Sequence, residues 1–217
     1  VLRPPPNTIC AARSRDSQMN ALRFGASLAL LILLAPSALA QVSVTAFGGY
    51  AFSEGIDNAT TGERASVKSG VTFGAAADYD LDSSRQLQLF YGQQNTTLDP
   101  GGGQPRFDLR VQYLHLGGTY FFDGPIGRGP YAVGGLGATH FSPSLNGLHS
   151  ETGFSMNVGF GYLWPLGTAV AVRAEARGFI TFLNSSGGLF CSGGCIVLFS
   201  GDGFAQGQVM LGLTARF

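Results

Sequence analysis

Two short motifs carry residue types that do chemistry in enzymes and metal sites. His140 and Ser142 are separated by one residue, with Glu151 further along, and could supply a base, a nucleophile and an orienting carboxylate. Cys191 and Cys195 are separated by three residues and could form a disulfide, a redox pair or two metal ligands. Which chemistry is possible depends on the element that positions each motif.

The cysteine pair is predicted to be a disulfide between Cys191 and Cys195. No His or acidic residue lies near the pair in sequence, whereas a zinc site takes four ligands. A redox-active pair needs a helix start or activating charges, and neither is evident here. Two glycines between the cysteines allow a small ring to close. We therefore expect a structural staple in a surface loop, with no metal and no cofactor.

Alternation of apolar with small or polar residues predicts that the chain is built from β-strands. From Phe154 to Trp164 every even position is apolar, and Ser155, Asn157 and two glycines lie between. Eight strands are predicted, at about 41–52, 68–81, 85–97, 107–122, 130–141, 151–164, 168–183 and 204–217. Short and long connections alternate between them, as in membrane barrels with short periplasmic turns and longer outer loops.

Two of the predicted strands alternate poorly. In 107–122 the apolar residues change face, from Phe107 and Val111 on one side to Leu114 and Tyr120 on the other. A β-bulge near Tyr113 or a misplaced strand boundary would each explain the change. Three glycines blur the two faces of 130–141.

The composition excludes several classes of protein. Charged residues make up 12% of the chain, about half the share in soluble domains, and 33 residues are Gly. A 45% hydrophobic share argues against disorder, and a net charge of +0 with no basic stripe argues against nucleic-acid binding. Aromatic residues lie beside the short turns, as in the girdle of a lipid-facing band: Tyr79, Tyr120, Phe122, Tyr131, Tyr162 and Trp164. A secreted β-sandwich with these aromatics in its core is the alternative.

The opposite face of the strands carries charge. Seven residues are expected to face the inside of a barrel: Asp78, Asp80, Asp108, Arg110, Arg173, Glu175 and Arg177. Side chains just fill the interior of an eight-stranded barrel, and buried charges must pair. We expect a salt-bridge network that plugs the lumen; a narrow polar pore is the alternative.

The first forty residues are predicted to be a targeting segment with an upstream extension rather than part of the folded domain. Residues 19–40 have the basic start, short apolar run and small-residue end of a signal peptide, with Ala38 and Ala40 at the cleavage site. Residues 1–18 are polar and are interpreted as an upstream extension outside the true start of the protein. Removing residues 1–40 takes away four basic residues and one acidic residue, which leaves a net charge of −3.

The C-terminus resembles the β-signal that the barrel-assembly machinery reads in bacterial outer-membrane proteins. Apolar residues occupy every second position back from the last one: Val209, Leu211, Leu213, Ala215 and Phe217. The segments 153–162 and 170–177 resemble two strands of the small outer-membrane β-barrel family, the eight-stranded OmpA/OmpX type. The resemblance covers about 41–217. It implies an all-β, antiparallel, up-and-down transmembrane barrel in the outer membrane of Gram-negative bacteria, monomeric and surrounded by outer-membrane lipids including lipopolysaccharide.

Three functions remain open at this point. A structural or surface-interaction role, with specificity in the outer loops and no catalysis, is the first. A narrow pore or an OmpW-like conduit for small apolar solutes is the second. A lipid A-modifying enzyme is the third, because the spacing of His140 and Ser142 is similar to the His-x-Ser of lipid A 3-O-deacylases. Pro143 stands where that pattern usually continues with Asn, so no catalytic residue is predicted.

Overall fold

The chain folds into β-strands whose bounds follow the predicted alternation. The structure, a computed structural model, describes residues 42–53, 56–57, 64–99, 106–145, 148–182, 188–191, 195–198 and 203–217. The predicted signal peptide and its predicted cleavage site therefore lie outside the described residues. The strands are β1 Val42–Ser53, β2 Ile56–Asp57, β3 Arg64–Val67, β4 Gly70–Asp80, β5 Arg85–Asp99, β6 Phe107–Phe121, β7 Gly129–Pro143, β8 Glu151–Pro165, β9 Val170–Phe182, β10 Gly188–Cys191, β11 Cys195–Leu198 and β12 Gly203–Arg216. Among the described residues, no helix is long and apolar enough to cross a membrane.

Eight of these strands close into one antiparallel barrel, as predicted. Each pairs with its neighbour along the chain in the order β1, β4, β5, β6, β7, β8, β9 and β12, and β12 pairs back with β1. If the paired residues are followed from strand to strand around the barrel, the path that starts at Val42 returns to β1 at Phe52. The two positions on β1 are ten residues apart. This stagger tilts the strands, and it sets an interior that side chains can fill.

The barrel has two different ends. At one end, the turn end, lie Val42, Phe217 and the short connections 81–84, 122–128 and 166–169. At the other end, the loop end, the strands lead into and out of the longer connections. Short strands also occur there, since β3 continues the ladder of β5 and β2 pairs with β3. A separate hairpin, β10–β11, follows β9.

The outer face of the barrel is apolar. Large apolar side chains point outward along all eight strands and are exposed, among them Phe73, Leu116, Val158, Phe160 and Leu211. At the turn end Tyr79, Tyr120, Phe122, Tyr162 and Trp164 are exposed in a ring. A closed sheet with its apolar face outward excludes the β-sandwich and is the arrangement that lipid requires. Tyr131 departs from the expected girdle, because it is fully buried inside the barrel.

Strand β6 corrects one part of the sequence interpretation. Its register with β5 is unbroken from Phe107 to Tyr120, so no β-bulge occurs at Tyr113. Odd-numbered residues of β6 point inward throughout, and Asp108 and Arg110 are exposed on the outer face. The apolar residues change face because the lumen itself becomes apolar towards the loop end, where Phe107, Leu109 and Val111 are buried inside.

Candidate functional site

The lumen gathers buried charge near the turn end. Arg173, Glu175 and Arg177 alternate along β9, so their side chains all point inward. Arg173 Nη1 lies 3.0 Å from Asp78 Oδ2 on β4, and Arg173 Nη2 lies 3.1 Å from Glu175 Oε2. Arg177 Nη2 lies 2.6 Å from Glu175 Oε1. Two cations and two carboxylates therefore form one neutral group, as burial of charge requires.

Neutral side chains complete this ion network. The Tyr131 hydroxyl donates to Glu175 Oε2 at 2.8 Å and accepts from Arg173 Nε at 2.7 Å. Gln88 donates to Asp78 at 2.6 Å and accepts from Arg177 at 2.9 Å. The guanidinium of Arg177 also stacks over the Phe90 ring at 4.0 Å. Each charged group thus has partners on more than one wall of the barrel.

Besides the stacking of Arg177 over Phe90, three contacts span the full diameter of the barrel. Strands β5 and β9 stand on opposite walls, as do β6 and β12, because four steps separate them in the ring of eight. The first two contacts join β5 to β9: the hydrogen bond from Arg177 to Gln88 and the packing of Phe90 on Phe179, with ring centroids 5.9 Å apart. The third is the hydrogen bond from the Tyr113 hydroxyl to Gln206 at 3.0 Å. Side chains from facing walls therefore meet at successive levels of the lumen.

The turn end is closed by the chain itself. Connection 122–128 folds back so that Ile126 is buried against Phe121, Tyr131 and Leu163. Arg216 holds it there, donating to the carbonyl of Ile126 at 2.9 Å. The other Arg216 nitrogen lies 2.8 Å from Asp80, which also accepts from Gln86 at 2.6 Å. Gly127 adopts φ 107°, a conformation that a side chain would strain, and a Cβ there would overlap Arg216.

Above the ion network lies a buried group of His115, Ser155 and Asn157. Asn157 Oδ1 accepts from Arg177 at 3.2 Å, so its amide nitrogen faces His115 Nδ1, at 2.7 Å. His115 Nδ1 must then accept a hydrogen bond from the Asn157 amide. The imidazole proton is therefore on Nε2, which lies 2.6 Å from Ser155 Oγ. His115 therefore donates to the Ser155 hydroxyl and has no lone pair with which to remove its proton.

The loop end of the lumen is apolar. A buried cluster that extends from this end into the middle of the lumen contains residues from seven barrel strands and from β3, and Leu148 of the connection before β8 packs against it. The Phe141 and Phe204 rings meet edge to face with centroids 5.7 Å apart. Leu148 thereby attaches the end of the connection before β8 to the apolar part of the lumen.

The structure brings together five of the seven charges expected in the lumen. Asp78, Arg173, Glu175 and Arg177 form one network, and Asp80 joins Arg216 below it. Asp108 and Arg110 do not take part, because they lie on the outer face near the loop end. The sequence analysis did not anticipate five other side chains that take part in these lumen contacts: Gln88, Tyr131, His115, Asn157 and Arg216. Gln86 and Gln88 did carry a signal, since they alternate with apolar Leu87 and Leu89.

The two motifs that suggested chemistry lie away from the lumen network. His140 and Ser142 occupy outward positions of β7, and His140 Nδ1 is 2.7 Å from the Thr152 hydroxyl. Cys191 and Cys195 are opposed in the β10–β11 hairpin, a pairing compatible with the predicted disulfide, although their side chains lie outside the described residues. Within the described ranges, no group of three or more His, Cys, Asp or Glu residues could hold a metal ion.

The residues of the predicted β-signal lie on the last strand and directly after it. Val209, Leu211, Leu213 and Ala215 point outward along β12, and Phe217 is exposed at the turn end. The Phe217 backbone N–H donates to the Val42 carbonyl at 3.0 Å. The segment therefore forms one side of the seam at which the two ends of the sheet meet.

Comparison with known proteins matches this architecture. A sequence profile described as the outer membrane protein beta-barrel domain matches residues 26–217. No curated protein sequence matches the chain. Neisserial surface protein A (NspA), whose crystal structure is known, shares 16% sequence identity with this chain. The two structures align with a TM-score of 0.55 over 81% of this chain and 97% of NspA. OprG from Pseudomonas aeruginosa is 15% identical (TM-score 0.46, 82% and 96% covered), and Ail, the attachment invasion locus protein of Yersinia pestis, is 16% identical (TM-score 0.46, 82% and 99% covered).

Proposed function

Because the chain belongs to the outer membrane protein beta-barrel domain family, and so lies in the bacterial outer membrane, we propose that its role there is structural or surface-interacting. In this role the barrel is a non-conducting scaffold, and the connections at its loop end carry the specificity. Small outer-membrane barrels place their long connections outside the cell and their short turns in the periplasm. The barrel acts as a monomer, inserted by the barrel-assembly machinery through its C-terminal strand.

The contacts across the diameter carry this proposal. A solute crossing the lumen has to separate Arg177 from Gln88 and Phe90 from Phe179, whose side chains are at most 3% exposed. It also has to pass the buried apolar cluster at the loop end and Ile126 at the turn end. Opening the polar layer would leave Arg177 without its partners, which is costly in a buried site. Transport through the lumen is therefore the less favoured function.

A catalytic role has no support from the two Ser–His arrangements. The His115–Ser155 pair is at most 1% exposed, and Asn157 and Arg177 orient the imidazole as a donor. A nucleophilic serine needs a base that accepts its proton. In the other pair, His140 and Ser142, the histidine Nδ1 is hydrogen-bonded to the Thr152 hydroxyl.

Solute entry into proteoliposomes tests the non-conducting scaffold. Vesicles containing the wild-type protein should show no more uptake of small sugars or of short-chain alkanes than empty vesicles. The positive control is Arg177→Ala with Phe179→Ala, which removes two of the spanning side chains, and the matched control is the outward-facing Ile180→Ala. Uptake by the wild type that exceeds that of empty vesicles and approaches that of the double variant would show that the lumen is a conduit.

A further inference from the structure

A polar cleft lies on the outside of the barrel near its loop end. It has a volume of about 610 Å³ and is lined mainly by outward residues of three neighbouring strands and by the connection after β7. Five side chains define this headgroup cleft: Asn95 and Thr97 of β5, Asp108 and Arg110 of β6, and Ser142 of β7. None of them takes part in the lumen network, so neither the closed lumen nor the apolar band explains the cleft.

The cleft begins where the lipid-facing surface ends. Along the outer face of β6, Leu116 and Leu114 are apolar and exposed, Gln112 follows, and Arg110 is the next residue on that face. Gln112 donates to the Tyr91 hydroxyl at 2.7 Å, so the polar end of an outward tyrosine points towards the loop end. Successive residues on one face lie about 6.6 Å apart along a strand. Arg110 therefore lies two such steps, about 13 Å along the strand, beyond Leu114 and the apolar band, at the depth where lipid headgroups lie.

Arg110 and the neighbouring Lys68 outnumber the one carboxylate of the cleft, Asp108, which favours an anionic, hydroxylated ligand. Among the described residues Arg110 has no ion pair, and its Nε donates only to the neutral Asn95 side chain at 3.3 Å. By contrast, exposed Arg106 and Arg85 each lie 2.6 Å from a carboxylate. Exposed Lys68 flanks the cleft from the other side of β5, where its backbone N–H donates to the Thr97 carbonyl.

We propose that the headgroup cleft binds the phosphorylated sugar headgroup of a glycolipid in the outer leaflet, which in this membrane is lipopolysaccharide. The Arg110 guanidinium takes a phosphate oxygen, with the Lys68 ammonium adding charge. The Asn95, Thr97 and Ser142 side chains bond sugar hydroxyls, and the Asp108 carboxylate accepts from a hydroxyl. The inference rests on the placement of the chain in the outer membrane and not on the closure of the lumen.

Binding of purified lipopolysaccharide to the protein in detergent micelles tests this inference. Replacing a charged donor to phosphate, as in Arg110→Gln, should weaken binding about tenfold. Ser142→Trp should also weaken it by filling the cleft. The matched control is Arg85→Gln, which removes an exposed outward arginine at the turn end. Wild-type affinity in both cleft variants, or an equal loss in Arg85→Gln, would overturn the proposal.

Two further arms identify the source of the ligand chemistry. Lipopolysaccharide whose lipid A lacks phosphates should bind the wild type about as weakly as the intact lipid binds Arg110→Gln. Inorganic phosphate should not displace the lipid; displacement at similar concentrations would make the cleft a free-anion site and overturn the glycolipid assignment. All variants should keep the heat-modifiable gel shift of a folded barrel. Solute entry into proteoliposomes should be unchanged in Arg110→Gln, which separates failure of this inference from failure of the non-conducting scaffold.

Discussion

Glu175 is the residue on which the ion network of the lumen depends most. Its Oε1 lies 2.6 Å and 2.8 Å from two nitrogens of Arg177, and its Oε2 accepts from the Tyr131 hydroxyl at 2.8 Å and faces Arg173 at 3.1 Å. Glu175→Gln keeps the size of the side chain but leaves two buried guanidinium groups with one carboxylate, Asp78. Removing one partner of a buried ion pair costs about 3–5 kcal/mol. We expect a loss of that size in the free energy of unfolding.

The assay is urea unfolding of the barrel in lipid vesicles, followed by the fluorescence of Trp164, the single tryptophan of the chain. Arg177→Gln should cost a similar amount, because it leaves the carboxylates in excess. The double variant is neutral again, so its loss should fall short of the sum of the single losses by about 1–3 kcal/mol. Arg85→Gln, which breaks an exposed pair with Asp82, should change stability by less than about 1 kcal/mol. A loss below about 1 kcal/mol in Glu175→Gln, or additive losses, would refute the reasoning.

Three further predictions concern the barrel wall, its seam and a turn. Gly137→Ala should lower stability by about 1–3 kcal/mol in the same assay, because its Cβ would overlap the Leu114 carbonyl oxygen and the His115 ring, whereas Gly207→Ala, with no atom within 4 Å, should not. Deleting Phe217 should lower the yield of heat-modifiable barrel in the outer membrane, and a normal yield would contradict its part in the β-signal. The pKa of Asp82 is lowered to about 2 by the Ser84 backbone N–H and by Arg85. The ionised carboxylate therefore stabilises the turn at pH values above about 4, its pKa in the unfolded chain, and this stabilisation is lost as the pH falls through about 2. A midpoint near pH 4 for Asp82 in a carbon-13 NMR titration would contradict this.

The barrel wall could be predicted from the sequence because the two faces of its strands differ in chemistry. All eight predicted strands begin and end within two residues of the observed bounds. The alternation from Phe154 to Trp164 is clean since one face meets lipid and the other packs in the lumen. Hairpin β10–β11 was not predicted, because its apolar residues do not alternate over enough positions to indicate two faces.

The faces of β6 show where this reasoning fails. Apolar residues mark the outer face only within the lipid band, and beyond it Phe107 and Leu109 point into an apolar part of the lumen. Charge in turn marks the inner face only within the band, so Asp108 and Arg110 were wrongly assigned to the lumen. A single rule for assigning the inner and outer faces works only when a strand has one environment along its whole length. Strand β6 passes through two, the lipid band and the region beyond it.

The partners within the lumen could not be predicted, since they depend on register and closure. Gln88 and Arg177 are 89 residues apart in the chain and meet only because β5 and β9 stand on opposite walls. Tyr131 was expected among the lipid-facing aromatics, because neighbouring Gly134 and Gly135 hide which face of β7 is polar. Its hydroxyl joins Arg173 to Glu175, a role that no local pattern indicates.

Single-channel recording in planar bilayers tests the closed lumen most directly. Purified wild-type protein should give no resolved conductance steps, because Arg177, Phe90 and Phe179 meet across the barrel. Arg177→Ala with Phe179→Ala should give steps under the same voltage, which shows that the recording can detect an opened barrel. Stable, reproducible steps from the wild-type protein would contradict the account.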